Sequence, residues 1–167
     1  MNGAFTVAPA TTADRLDLLR VLDAAMVETD AARVSDRIDA GDAFVARFDR
    51  TGAVVGGLIA IRPPVEDESG ETLHIDAVAV RRARRGRGIG SALVDRAVDR
   101  ARTDPQATRV TAAFDESLVG FYADLGFDIT PAGEVGEGSE DVGNGERVEG
   151  DRMRGVRSVE NGTEAEQ

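Results

Sequence analysis

The chain has no cysteine, tryptophan or lysine, and only one histidine and one tyrosine among its 167 residues. Without cysteine there is no disulfide framework, no thiolate metal site and no cysteine nucleophile. With His74 as its only histidine, the sequence also predicts no multi-histidine metal centre. Aromatics make up 4% of residues against 41% hydrophobic overall, so Val, Leu, Ile and Ala must fill the core. The N-terminus lacks the basic start and continuous apolar stretch of a secretory signal. The longest apolar run, "AVVGGLIAI", falls far short of the roughly 20 residues that span a bilayer. These absences predict a soluble, cytoplasmic protein with no membrane partner.

What is present is mostly acid. Asp and Glu total 31 against 20 basic residues, all of them Arg, for a formal net charge of −11 and a pI near 4.6. Such a surface repels polyanions and stays soluble at high salt, as in the proteome of a salt-loving microbe; drift in a GC-rich genome gives the same composition. At low ionic strength its unscreened repulsion is expected to destabilise the fold.

The length suits one domain with a single core. A short strand, 5–8, leads into a helix from about Thr12 to Met26, capped by Thr11 or Thr12, with Leu16, Leu19, Val21, Leu22 and Ala25 at helical spacing. A weaker helix follows over 31–40, stopped by Gly41. "AFVARFDRTGAVVGGLIAIR" is two β-rich runs around a glycine-containing turn, a hairpin signal. The strand "LHIDAVAV", 73–80, runs into a helix that opens at Gly88, and 109–114, about 116–125 and 127–130 read as strand, helix and strand. The pattern is an α/β domain with a mixed sheet. After Thr130 the composition turns to Gly and acid. Segment 131–150 is expected to be a disordered insertion, 151–159 a final edge strand and 160–167 a disordered tail. From Pro131 onward ten acids face four arginines, which leaves −5 of the −11 on the domain core, 1–130.

One stretch stands apart from this acidity. "RRARRGRGIGSALV", Arg81–Val94, puts five arginines within seven residues and then alternates glycines. A strand entering a Gly-rich turn and then a helix N-terminus makes an anion site, because unpaired N–H groups and the helix dipole converge there. A Walker loop is excluded by the missing Lys. A dinucleotide G-x-G-x-x-G fits poorly, because Gly86, Gly88 and Gly90 alternate and Ser91 stands at the third required position.

The segment does contain R-x-x-G-x-G as Arg85, Gly88 and Gly90, after a strand and opening an amphipathic helix. Downstream, "DESLVGFYADLGF", 115–127, matches N-x-x-A-x-x-x-Y-x-x-x-G-F at Tyr122, Gly126 and Phe127, with Asp115 in place of Asn and Leu118 in place of a small residue. With both motifs in order, the chain resembles the GNAT superfamily of N-acetyltransferases over about residues 5–130. The resemblance implies a mixed, mostly antiparallel central sheet flanked by helices, with splayed central strands holding acetyl-CoA. It assigns the pyrophosphate to Arg85, Gly86, Arg87, Gly88, Gly90 and Ser91, and the pantetheine arm to the backbone of Val78 and Val80. The position of Asp115 implies a further pantetheine contact, although an ionised carboxylate cannot donate a hydrogen bond. Arg81, Arg82 and Arg84 either reach the 3′-phosphate or only offset local acidity.

Acetyl transfer to an amine needs a neutral amine, a polarised carbonyl, a proton for the leaving thiolate and close positioning, but no covalent enzyme intermediate. The resemblance implies Tyr122 as the acid; the plainer alternative is a core aromatic with its hydroxyl at the surface. Strand alternation predicts His74, Asp76, Val78 and Val80 on one face, which makes His74 and Asp76 candidate bases unless the amine simply arrives deprotonated. Glu66, Asp67 and Glu68 either attract a cationic acceptor or are only solvated. The expected partner is an amine acceptor, from a small molecule to a protein N-terminus, and a homodimer is left open. Two other functions compete: a non-catalytic acyl-CoA-binding module, and an arginine-rich nucleic-acid module, which the net acidity opposes.

Overall fold

A computed structural model describes residues 4–24, 30–62, 71–131 and 152–159. The order is β1 (Phe5–Pro9), a 3-10 turn (Thr12–Asp14), α1 (Arg15–Ala24), α2 (Ala31–Ala40), β2 (Ala43–Phe48), β3 (Val54–Ile61), β4 (Glu71–Val80), α3 (Ile89–Arg102), β5 (Ala107–Asp115), α4 (Val119–Asp124), β6 (Asp128–Pro131) and β7 (Arg152–Ser158), with further 3-10 turns at Arg82–Arg84 and Glu116–Leu118. No helix among the described residues is long and apolar enough to cross a membrane.

Local chemistry sets the helix ends. The Asp30 carboxylate accepts from the Arg33 N–H at 2.8 Å and starts α2, and Gly41 closes it with φ +82°. The first helix enters through a tighter turn than its pattern suggests, because the Asp14 carboxylate accepts from the Thr11 N–H and pairs with Arg47. Its expected end at Met26 lies outside the described residues, as do Glu66, Asp67, Glu68, the acidic segment 132–151 and the tail 160–167.

All seven strands form one sheet in the order β1-β2-β3-β4-β5-β7-β6. Its pairs are antiparallel except β4–β5, since α3 provides the crossover that a parallel pair needs. Within the expected segment 151–159, Arg152–Ser158 forms a strand, but not at the edge. It enters between β5 and β6, pairing with both, and leaves Pro131 on the outer strand, where a missing N–H is tolerated.

Each face of the sheet packs its own core. On one, Leu58, Leu73, Ile75 and Phe114 meet Ile89, Leu93, Val94, Ala97 and Val98 of α3. On the other, Val45, Ile59, Ala77 and Ala79 meet Leu18, Val21 and Leu22 of α1 and Val34 of α2. Beside the second core the fully buried Asp42 carboxylate takes Arg62 at 2.9 Å, Arg100 at 3.1 Å and Arg37 at 3.7 Å. It ties both hairpin strands to α2 and α3, and three guanidinium groups make burial of that charge tolerable.

Two irregularities in β4 position the site. The β3–β4 register slips between Ile59↔Ala77 and Ala60↔Ile75, so Asp76 is an extra residue, a β-bulge. Pairing of β4 with β5 also ends at Ile75↔Ala112. Beyond that row β4 stays with β3 as far as Val80, while β5 runs on to Asp115 against β7. The two strands part, and the β5-facing backbone groups of β4 past the bulge have no strand partner.

Candidate acetyl-CoA site

A groove of about 550 Å³ opens where β4 and β5 separate. Its walls include Val78, Ala79 and Val80 of β4, the loop residues Arg84, Arg85, Gly86 and Gly88, Ile89, Gly90 and Ser91 at the start of α3, and Leu118, Phe121 and Tyr122 at α4. Gly86 and Gly88 have φ of +82° and +85°, in the left-handed region that a side chain resists. A Cβ on either would meet nothing within 4 Å, so conformation rather than space requires glycine. Gly88 is the N-cap of α3 and has no side chain to bond the first turn. The first N–H groups of α3 are therefore free to hold an anion, with the positive end of the helix dipole behind them.

The arginines of the loop divide. Arg81 Nε donates to the Val54 carbonyl at 3.1 Å and Arg85 Nε to the Val80 carbonyl at 3.1 Å, while the Arg84 guanidinium lies 4.1 Å from the Phe48 ring centroid. The basic run is thus partly spent on fixing the loop to the hairpin and to β4. It is less open to a polyanion than its sequence suggests.

Tyr122 is 3% exposed. Its ring stacks on Phe114 at 4.1 Å between centroids and meets Phe121 and Phe127 edge-on. Burial pushes its hydroxyl up to about 12, and no hydrogen bond to that hydroxyl occurs among the described residues. A buried hydroxyl without a partner is costly, and this one lines the groove, where a bound group would satisfy it.

His74 and Asp76 lie elsewhere. Because the bulge at Asp76 adds a residue, Leu73 and Ile75 share the α3 face with Val78 and Val80, whereas His74 belongs to the opposite face with Ala77 and Ala79. The four residues expected on one face therefore do not share one: the bulge leaves His74 and the pair Val78 and Val80 on opposite faces of the sheet. His74 Nδ1 is 2.8 Å from Thr111 Oγ1. Burial lowers its basicity, Asp76 opposes this and Arg154 adds to it, with a net shift below the usual 6.5; His74 is neutral near pH 7. The Asp76 carboxylate is gripped by Arg33 of α2 at 2.7 Å.

The sequence matches the profile of the Acetyltransferase (GNAT) family over residues 14–127. The chain belongs to that family. No curated protein matches it. Among solved structures it is similar to N-acetylglutamate synthase from Neisseria gonorrhoeae complexed with coenzyme A and N-acetyl-glutamate (14% identity, TM-score 0.68), covering 96% of this chain but only 36% of that one. Similar too are Arabidopsis thaliana NAA60 in complex with acetyl-CoA (16% identity, TM-score 0.67, 93% of this chain and 99% of that one) and Arabidopsis thaliana Naa50 in complex with the bisubstrate analogue CoA-Ac-MVNAL (18% identity, TM-score 0.66, 93% and 99%).

In this GNAT domain the groove gathers Val78, Val80, Arg85, Gly86, Gly88, Gly90, Ser91 and Tyr122 from the expected set. Arg87 and Asp115 are not among its lining residues. The Asp115 carboxylate accepts from the Ser117 N–H at 2.9 Å and caps the turn before α4, a local use suited to an acceptor-only group. Five wall residues lie outside the expected set. Ala79, Ile89 and Phe121 carry no motif signal of their own, Arg84 is expected only at a 3′-phosphate or as an offset to local acidity, and Leu118 only as a departure from the motif. Its 41% exposure as a large apolar residue marks it as groove wall.

Proposed function

We propose that the protein is an acetyl-CoA-dependent N-acetyltransferase that passes the acetyl group directly to a primary amine, with Tyr122 as general acid. The observation that carries this reading is the Tyr122 hydroxyl, without a partner among the described residues, in a groove that begins at a free helix N-terminus and ends where β4 and β5 part. Acetyl-CoA supplies an activated acetyl thioester. Gly86, Gly88 and the first N–H groups of α3 suit its phosphates. The open backbone of Val78–Val80 suits the amides of its arm and polarises a carbonyl placed in the gap.

Tyr122 keeps its proton at neutral pH, since burial holds its hydroxyl near 12, and donates it to the departing sulfur. On the opposite face His74 Nδ1 contacts Thr111 Oγ1; in the tautomer whose Nδ1–H donates to that hydroxyl, Nε2 of the neutral ring takes the amine proton directly or through a water. Asp76 is the weaker candidate, because Arg33 already occupies its carboxylate. The N-acetyl-glutamate and CoA-Ac-MVNAL held by two similar structures are acylated amines, in keeping with an amine acceptor.

The test is thiol release from acetyl-CoA across a panel of amines, with the protein's mass followed in parallel. Thiol is expected only when an amine is present, with no mass gain on acetyl-CoA alone. An acetylated protein formed without amine would overturn direct transfer, and no thiol with any amine would overturn catalysis.

A further inference from the structure

Arg154 of β7 is an exposed cation with no carboxylate among the described residues, and it lies at the row where the sheet opens. Met153 packs against the core under α3 and α4, and a Cβ on Gly155 would meet Phe114 and Phe127, so alternation puts Arg154 on the other face, with Thr111 and His74. It pairs with Ala113 of β5, the first residue after the β4–β5 ladder ends at Ala112. Two strand spacings, roughly 10 Å, separate it from β4. In the sheet the residue between them is Ala113, whose side chain is a single methyl group.

The charge around this position matters. The chain has 31 acids for its 20 arginines, and Arg33, Arg47, Arg62 and Arg100 each hold an aspartate. With no carboxylate partner among the described residues, and beside the opening, Arg154 is available to an external anion. The one acid of β4 at that opening, Asp76, is neutralised by Arg33, and no other described carboxylate pairs with Arg154.

We propose that Arg154 is a specificity-determining residue that binds a carboxylate of the acceptor, so that the substrate class is an amine that also carries a carboxylate: an amino acid or an acid-bearing peptide, not a polyamine or aminoglycoside. A planar guanidinium gives a carboxylate two parallel hydrogen bonds, fixing the acceptor at one end while its amine enters the gap beside His74. This inference rests on the acetyltransferase reading above.

The experiment compares matched acceptors, each an amino acid or short acidic peptide against the same molecule with its carboxylates converted to amides, by thiol release at saturating acetyl-CoA and fixed salt. The acid of the best pair is expected to exceed its amide in kcat/KM by about tenfold to a hundredfold, the range of a charge-assisted bidentate contact. Arg154→Gln is expected to remove that advantage by raising KM for the acid alone, and Arg154→Lys to restore part of it. Acetyl-CoA binding should be unchanged in both variants. Equal rates within every pair, or a ratio unchanged in Arg154→Gln, would overturn the inference. If acetyl-CoA binds but no acid-bearing amine is acetylated, this inference falls and the cofactor site stands. If acetyl-CoA does not bind at all, both fall.

Discussion

The two ends of β4 are held in opposite ways. From Glu71 to Ile75 the strand is paired with β5, and at His74 and Ile75 with β3 as well, while from Ala77 to Val80 it keeps only β3. The first end carries His74, fixed by Thr111 and half-buried; the second leaves open backbone against the Gly86–Gly88 loop and Tyr122. The difference teaches that a reactive gap can come from a missing strand partner instead of from any particular side chain. Side chains then only furnish its two mouths: on the proposed reading, a phosphate cradle and proton donor on the α3 face and a proton acceptor on the α1 face.

Breaking one end at a time tests that division. The largest effect is expected from Tyr122→Phe. The Phe114 stack survives, so acetyl-CoA affinity and melting temperature hold, while kcat falls on the order of a thousandfold for loss of a positioned acid; a kcat within a few-fold of wild type would remove Tyr122 from the chemistry. Next, Gly88→Val forces a β-branched residue into φ +85° and spoils the cradle. It should weaken acetyl-CoA binding about a hundredfold by calorimetry while costing no more than roughly 2 kcal/mol of stability.

His74→Gln, at the other end, should lower kcat about tenfold, since water can stand in for the base, and leave acetyl-CoA binding intact. Its sharper signature is in pH. Burial lowers the histidine's pKa, with Asp76 opposing and Arg154 assisting, so the unprotonated base persists as pH falls through 6.5. The acid limb of kcat/KM in the wild type therefore lies below 6.5 and disappears in the variant. A limb centred at or above 6.5 would show that the base is another group. The smallest effect concerns the whole surface: with a net charge of −11, melting temperature should rise by a few degrees between dilute buffer and molar salt as repulsion is screened, and a flat response would contradict this.

Legibility in the sequence follows the same division. The glycine loop and the start of α3 were readable because their signals are local: glycines forced by backbone conformation, a helix start, an arginine at fixed spacing. The hairpin around "RTG" and the helix ending at Gly41 were readable for the same reason. The acceptor end was not, because counting by twos assumes a regular strand, and a single extra residue at Asp76 turned His74 away from Val78 and Val80. Likewise the pattern of "RMRGVRS" identifies a strand but not its neighbours. Its insertion between β5 and β6 is decided by long-range pairing and by Phe114 and Phe127, which close over Gly155. Asp115 shows a third limit, since a residue aligned with a family ligand position serves here as a cap.

The most direct measurement is calorimetric titration of the whole chain with acetyl-CoA in molar salt, alongside Gly88→Val. One-to-one binding that the substitution weakens about a hundredfold is the expected result. No detectable heat at millimolar acetyl-CoA, or equal binding by both proteins, would contradict a phosphate cradle at the head of α3.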